Sequence, residues 1–553
     1  MTARLITCLA LLAPLSLVGV ALLASRERGR NPTRLERALG AATALGLAVS
    51  FVEVAWLVLG HLTSGGAVQK LGLIRLDGLS VTMAAMVSLL VAVVGRYSAT
   101  YLDGDQRHGE FLGRLAAAGA AVELLVVSNH LLLFWIAWVA TSLCLHRLLL
   151  FHPERPRAVV AARKKFIVAR IGDLLLAAAF VLIWRRLGTA DMSELLSRSG
   201  SEELVGVLIA CAALLKSAQF PTHGWLLEVM ETPTPVSALL HAGILNAGPF
   251  LVLRFAPLFV ESRAPAAILV VAGGFTAVFA SSAMLTQPSV KVALGYSSAA
   301  HMGFMLFVCG LGVFPAAALH LVAHSFYKAH AFLSAGSTVE ATLAARIRAP
   351  ERRGSPRRAA VSFLVAGATY VGVAHVLGMS PWENPSLVVV GAVVVMGLAQ
   401  LFATGLADGG RLVPLPSSTS EARRRLRQRG APATNWRNRR GTIDSVPLRV
   451  AALAAFVALA FFGLEELTRR ALAGALPPLV DPPPSILMLG VSVVMVWGLA
   501  AWMQMVGLGG SSPRMARLRV HLRHGFYANA LFDRIVGSIQ ANPPFTSHRG
   551  TRS

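Results

Sequence analysis

The chain has 553 residues, with 51 Lys and Arg against 27 Asp and Glu for a formal net charge of +24, yet 55% of it is hydrophobic and only 14% is charged. A soluble basic protein that binds nucleic acid spreads its charge through mixed sequence, whereas here the charges lie between long uncharged runs, so no nucleic-acid partner is expected. Only six basic residues are lysine (Lys70, Lys164, Lys165, Lys216, Lys291 and Lys328) and the rest are arginine.

Crossing a hydrocarbon core of about 30 Å at 1.5 Å per residue takes roughly 18 apolar residues. Such stretches recur near 4–24, 38–60, 77–95, 111–127, 130–150, 165–184, 204–226, 233–254, 264–285, 290–312, 315–340, 359–379, 386–407, 447–463 and 484–506. They predict about fourteen crossings, with 204–226 and 233–254 forming either two or one that is broken. Continuous runs, not alternating ones, point to helices, so the expected fold is an all-α polytopic membrane protein. Its organisation reads as a transmembrane core over 1–407, a polar linker rich in Arg, Ser, Pro and Gly over 408–446, further transmembrane helices over 447–506, and an amphipathic tail over 507–553. The basic flank Arg26 to Arg37 follows the first apolar run, which favours an uncleaved first helix with that flank in the cytoplasm.

The four cysteines sit inside apolar segments without CxxC spacing, and no GxGxxG or GxxxxGKS/T loop occurs, so no metal site, cofactor or catalytic set is expected.

An ionisable side chain at the bilayer centre costs about 2.5–3.5 kcal/mol on insertion scales, so each one calls for a reason. Lys216 lies deep in its apolar run, and Pro221, Pro233 and Pro235 follow it, predicting an interrupted helix with free backbone groups. A lysine in that setting reads as a switchable proton site, against the alternative that it snorkels to an interface. His241 follows as a relay candidate or a bonded structural residue. His320, His324 and Lys328 stand four residues apart and form one stripe of about 12 Å on a helix, a polar wire or a set of packing hydrogen bonds. Lys291 opens its segment, ten residues before His301, and fits either the path or the interface. Among the acids, Glu123 is the expected membrane-embedded carboxylate that counters a lysine. Arg170 and Asp173 are spaced as an ion pair, and Glu228 and Glu231 lie beside the break. Lys164 and Lys165 are expected to flank a helix and Lys70 to lie in a loop.

The runs KSAQFPTHGWLLEVMETPTPVSALLHAG, KVALGYSSAAHMGFM and HLVAHSFYKAHAFLSAGS, with the ending HLRHGFYANALFDRIVG, resemble the proton-conducting membrane subunits of the respiratory complex I and Mrp antiporter superfamily. The resemblance implies an antiporter-like fold in which Lys216, His241, His320, His324 and Lys328 line a hydrated axis at mid-membrane, with Lys216 on a discontinuous helix. Two features depart from the complex I type. Its fifth helix carries Trp-Glu where this chain has Trp138-Val139, and no lysine follows Lys328, where only His375, ahead of Pro381, offers a substitute. The variants FPTHGW, VMETPTPVSALLHAG and SLCLHRLLLFHPERP are more similar to one branch, the DabB family of bacterial inorganic carbon pumps. That resemblance implies a subunit of the bacterial inner membrane passing H⁺ or Na⁺ down its gradient. It also implies a large DabA-like partner whose zinc site hydrates CO₂. The rival expectations are a proton-pumping subunit of an NADH-quinone oxidoreductase-like complex, an Mrp-type Na⁺/H⁺ antiporter, or a scaffold that conducts nothing. The Arg-rich loops and the tail are expected to meet lipid headgroups or the partner.

Overall fold

The computed structural model describes residues 2–64, 69–198, 202–229, 232–260, 262–336, 355–380, 382–407, 446–507 and 513–539. The expected linker at 408–446, apart from Val446, lies outside the described residues, as do Glu231 and Pro381.

Among the described residues, twelve helical stretches are long and apolar enough to cross a membrane. The chain opens with α1 (Thr2–Leu9), α2 (Leu12–Arg26) and α3 (Pro32–Ser64), then a hairpin of β1 (Gln69–Leu71) and β2 (Ile74–Leu76), then α4 (Gly78–Tyr101) and α5 (His108–Val127). Lys70 is therefore in a strand and not a loop. α2 packs on α5, and α3 and α5 both pack on α4. The 20 residues of α5 suffice to cross, although Glu110, Arg114 and Glu123 lower its apolarity.

Asp77 fixes this bundle. Its Oδ1 accepts from the Ser80 N–H at 2.8 Å and so caps α4, and its Oδ2 accepts from Arg75 at 2.7 Å and Arg254 at 2.6 Å. Burial pushes this carboxyl up, but Arg254, Arg75 and the Ser80 N–H outweigh it and hold it at about 2.

The centre comprises α6 (Leu131–Leu149), α7 (Pro156–Leu187), α8 (Met192–Arg198), α9 (Glu203–Lys216), α10 (Gly224–Glu228), α11 (Thr234–Ala242) and α12 (Ala247–Arg254). α7 starts earlier than expected because Pro156, which lacks an N–H, suits the first helical turn. Lys164 and Lys165 therefore lie inside the helix and are buried, instead of flanking it. Thr234–Arg254 is long and apolar enough to cross alone and is almost wholly buried, which favours 233–254 as a crossing of its own over half of one shared with 204–226.

α13 (Arg263–Ile268) runs through a π-helical turn at Leu269–Gly273 into α14 (Gly274–Met284), which packs on α15 (Val290–Gly310). A Cβ on Gly303 would lie 2.5 Å from the Gly273 carbonyl oxygen, so the two backbones approach at a distance only glycine permits. α16 (Phe314–Leu333) packs on α11 and α15, and its 20 residues also have spanning length despite their histidines and Lys328. α17 (Pro356–Val376), α18 (Pro385–Ala407) and α19 (Val446–Ala471) share a smaller core around Tyr370, Phe402 and Phe462. α20 (Pro484–Gly507) joins it to α14. Outward faces carry exposed Phe51, Leu174, Leu364 and Met495, as lipid-facing helices do.

The tail is not one continuous helix. A turn at Gly525–Tyr527 with positive φ at all three residues separates α21 (Pro513–Arg523) from α22 (Ala528–Ile539). Gly525 has φ +59° there, and a Cβ on it would lie 2.9 Å from the Tyr296 hydroxyl. Beyond the turn, Asn529 donates to Glu228 at 2.7 Å, and Asp533 pairs with buried Lys164, which also reaches Glu228 at 2.5 Å. The tail thus docks directly on α7 and α10.

Candidate ion-conduction site

Lys216 is the last residue of α9. The chain then leaves the helix through Ser217 and Ala218, whose φ of +51° is a left-handed conformation that non-glycine residues rarely adopt. It re-enters helix at α10. Pro221 lies inside this interruption, whereas Pro233 and Pro235 sit at the start of α11 and open a new helix instead of breaking one. The break is held by the Phe220 N–H, which donates to Thr276 at 3.2 Å, and by Gln219, which donates to the Ser217 carbonyl at 2.8 Å.

The Lys216 ammonium is buried. It donates to the Trp138 carbonyl and to the Thr141 hydroxyl, both at 3.1 Å, and lies 4.1 Å from the centre of the Trp138 indole. At the place where a glutamate is missing after Trp138, the lysine therefore uses the tryptophan's own carbonyl and ring. The carboxylate whose charge acts on it is Asp173 of α7, itself 2.5 Å from Arg170. Arg170 and Asp173 form the expected pair, and the pair also faces the lysine. Lys165 joins the same site: it donates to the Ser142 carbonyl at 2.6 Å and hydroxyl at 2.8 Å, and shares with Lys216 a cavity of about 10 Å³ walled by Trp225, Leu240 and Ile244. That is about the space of one water molecule.

A second group forms where α15 meets α16. His301 Nδ1 and His320 Nε2 share a hydrogen bond of 2.8 Å, and the His301 and His324 rings are 5.2 Å apart. Lys328 is fully buried and donates to the Leu294 carbonyl at 3.3 Å. From α11, buried His241 stacks on Phe332 at 4.4 Å, close enough for Lys328 to act on its charge. Both ring nitrogens of His241 and of His324 are buried without a protein partner. Buried polar atoms almost always find partners, so these four are candidate contacts for water.

Of the residues singled out in the sequence, His241, His320, His324 and Lys328 come together, and Lys216 forms a neighbouring centre across α11. No hydrogen bond among the described residues joins the two centres directly. Lys291 stands in the first turn of α15, half-buried, ten residues before His301 and three before Leu294, whose carbonyl accepts from Lys328. Glu123 does not counter a lysine: its Oε1 accepts from Ser88 at 2.6 Å. Three participants escaped the sequence reading. Lys165, expected at a helix flank, bonds Ser142 beside Lys216; His301, expected with Lys291, pairs with His320 on α16; and Asp173, expected as the partner of Arg170, also faces Lys216. His375, near the end of α17, joins neither centre.

The fold and these two centres define the class. The family described as NADH:quinone oxidoreductase/Mrp antiporter, transmembrane, matches residues 128–381, which span both centres. The Mrp complex from Dietzia sp. superposes with a TM-score of 0.58 at 22% identity over 99% of this chain and 61% of that one, showing the shared fold. Within this class the relatives are more specific. A probable inorganic carbon transporter subunit DabB2 from Halothiobacillus neapolitanus is 35% identical over 84% of this chain and 80% of its own length. A DabB from Hydrogenovibrio crunogenus is 46% identical over 49% of this chain and 54% of its own. NADH-quinone oxidoreductase subunit L of Escherichia coli is 33% identical over 48% of this chain and 44% of its own. The chain belongs to the DabB family, within the complex I and Mrp antiporter-like superfamily, and is a multi-pass membrane protein.

Proposed function

We propose that this chain is the cation-conducting membrane subunit of an energy-coupled inorganic carbon uptake complex in the bacterial inner membrane. The observation that carries the conduction half is the placement of Lys216 at a helix break and of Lys328 among four histidines, all at bundle positions where charge is costly unless it is used. The carbon half is supported by the similarity to the probable inorganic carbon transporter subunit DabB2 over most of both chains. H⁺ or Na⁺ moves down its gradient through the two centres. The free energy drives a large DabA-like partner that holds the zinc and hydrates CO₂, while this chain performs no catalysis of its own.

The test is growth at ambient CO₂ of a bacterium lacking carbonic anhydrase that expresses this chain with its large partner. Lys216→Ala abolishes that growth while the protein stays in the membrane. Normal growth of the variant overturns the assignment. The match to subunit L favours, as second reading, a proton-pumping subunit of a redox complex. Iron–sulfur and flavin subunits co-purifying with the chain would establish that reading, and one large zinc protein the first.

A further inference from the structure

Lys165 has no place in the sequence motifs of the site, yet it is as deeply buried as Lys216; its interpretation rests on the conduction reading and deepens it. Pro156 opens α7 and Lys165 follows about 14 Å along the helix, keeping 4% of its exposure against 8% for Lys216. An amine buried there is costly unless it is held or used. α6 seats both lysines within one turn. Lys216 rests on the Trp138 carbonyl and the Thr141 hydroxyl, and Lys165 on the carbonyl and hydroxyl of Ser142, which shares a helix face with Trp138. Each nitrogen thus has two acceptors among the described residues. That number satisfies a neutral amine with its two N–H bonds and leaves the lone pair open, whereas an ammonium brings a third N–H that these acceptors do not take up.

Both side chains wall one cavity of about 10 Å³, room for a single water. Trp225 walls it too, and its indole N–H is buried without a protein partner, a bond that a water there can accept. The charges around the cavity do not balance. Lys165, Lys216 and Arg170 share one carboxylate, Asp173, which is paired with Arg170 at 2.5 Å, while Lys164 and Glu228 pair with each other. Like charges in a dry site disfavour one another, so the two amines hold one proton more readily than two. Sodium is held in membrane proteins by carbonyl and carboxylate oxygens. Here the Trp138 and Ser142 carbonyls already accept from the lysines, and the carboxylate is taken by Arg170.

We propose that Lys165 is a second proton carrier, exchanging a proton with Lys216 through the cavity they share, so that the ion conducted at this centre is H⁺ and not Na⁺. An N–H bond of the Lys216 ammonium breaks and its proton goes to the cavity water, which passes one of its own protons to the lone pair of the Lys165 amine. Lys216 is left as the amine, Lys165 becomes the ammonium, and the water is restored. Ser142 stands one turn nearer the end of α6 than Trp138, so the transfer carries charge toward the loop that joins α6 to α7.

The full chain with its co-purifying partner, in liposomes that enclose a pH-sensitive dye and are supplied with CO₂, tests this. An imposed pH gradient drives a proton flux that is unchanged when all sodium is replaced by N-methylglucamine. Lys165→Met, which takes up no proton, and Lys165→Arg, which keeps the charge and releases none, each lower the flux about tenfold or more at equal incorporated protein. Flux within about twofold of native in either variant overturns the relay, because a packed side chain or a fixed charge then suffices. Flux that vanishes without sodium overturns the proton assignment. Nitrogen-15 magnetic resonance on lysine-labelled protein separates a relay from a structural role. The native chain shows a neutral-amine signal that is lost in both Lys165→Met and Lys216→Ala, since the remaining lysine keeps the proton, and a native chain showing ammonium alone contradicts the proposal. Lys216→Ala also separates the two failures: if it alone abolishes flux, the relay is wrong and conduction stands, whereas if it conducts like the native chain, conduction through this centre is itself wrong.

Discussion

Lys216 and Asp173 show how a site is rebuilt when one residue changes. With valine at 139, the buried ammonium has no carboxylate on α6 and instead meets the Trp138 carbonyl, the Thr141 hydroxyl and the charge of Asp173 from the next helix. Asp173→Asn is therefore expected to lower uptake about tenfold and Asp173→Glu to restore part of it, as transport assays at matched expression will show. Asp77 has a structural role. Removing its charge by Asp77→Asn leaves Arg75 and Arg254 buried and unpaired, a loss of about 3–5 kcal/mol to be read from thermal unfolding in detergent. Its folded carboxyl, at about 2, lies below its ordinary 3.8, so the stabilisation is complete above the ordinary value and fades as pH falls through about 2. Residues whose signal is local were legible in the sequence: the four-residue spacing of His320, His324 and Lys328 already placed them on one face. Lys165 and His301 were not, because each acquires its meaning from another helix.

Among the elements, the spanning helices follow from apolar length alone, and the break after Lys216 from Pro221. The boundaries that failed did so for identifiable reasons. Pro156 moved the start of α7 by two turns and drew two lysines into the membrane, and Pro233 and Pro235 started a helix instead of interrupting one. The tail turn at 525–527 was illegible, since Phe526 and Tyr527 adopt left-handed φ that their side chains do not favour. Close helix contact is the element-scale prediction. Gly303→Leu drives a side chain into the Gly273 carbonyl, which as backbone does not yield, and is expected to cut the folded protein in membranes sharply. Size-exclusion chromatography in detergent reads that loss, and a monodisperse native-like peak would contradict it.

At the scale of the molecule, the C-terminal helix returns to the broken helix near its start. Asn529 holds Glu228 a few residues beyond the interruption and Asp533 holds Lys164 on α7, so the last described segment packs beside the broken helix. Arginine makes up 45 of the 51 basic residues, while four of the six lysines are buried between helices. The central claim is that these buried lysines pass the cation that powers carbon uptake. It is tested most directly by accumulation of radiolabelled inorganic carbon in cells carrying this chain and its large partner, with Lys216 and Lys328 both replaced by alanine at equal membrane abundance. Accumulation at the level of cells lacking the complex is the predicted result, and accumulation equal to that of the native complex would contradict it.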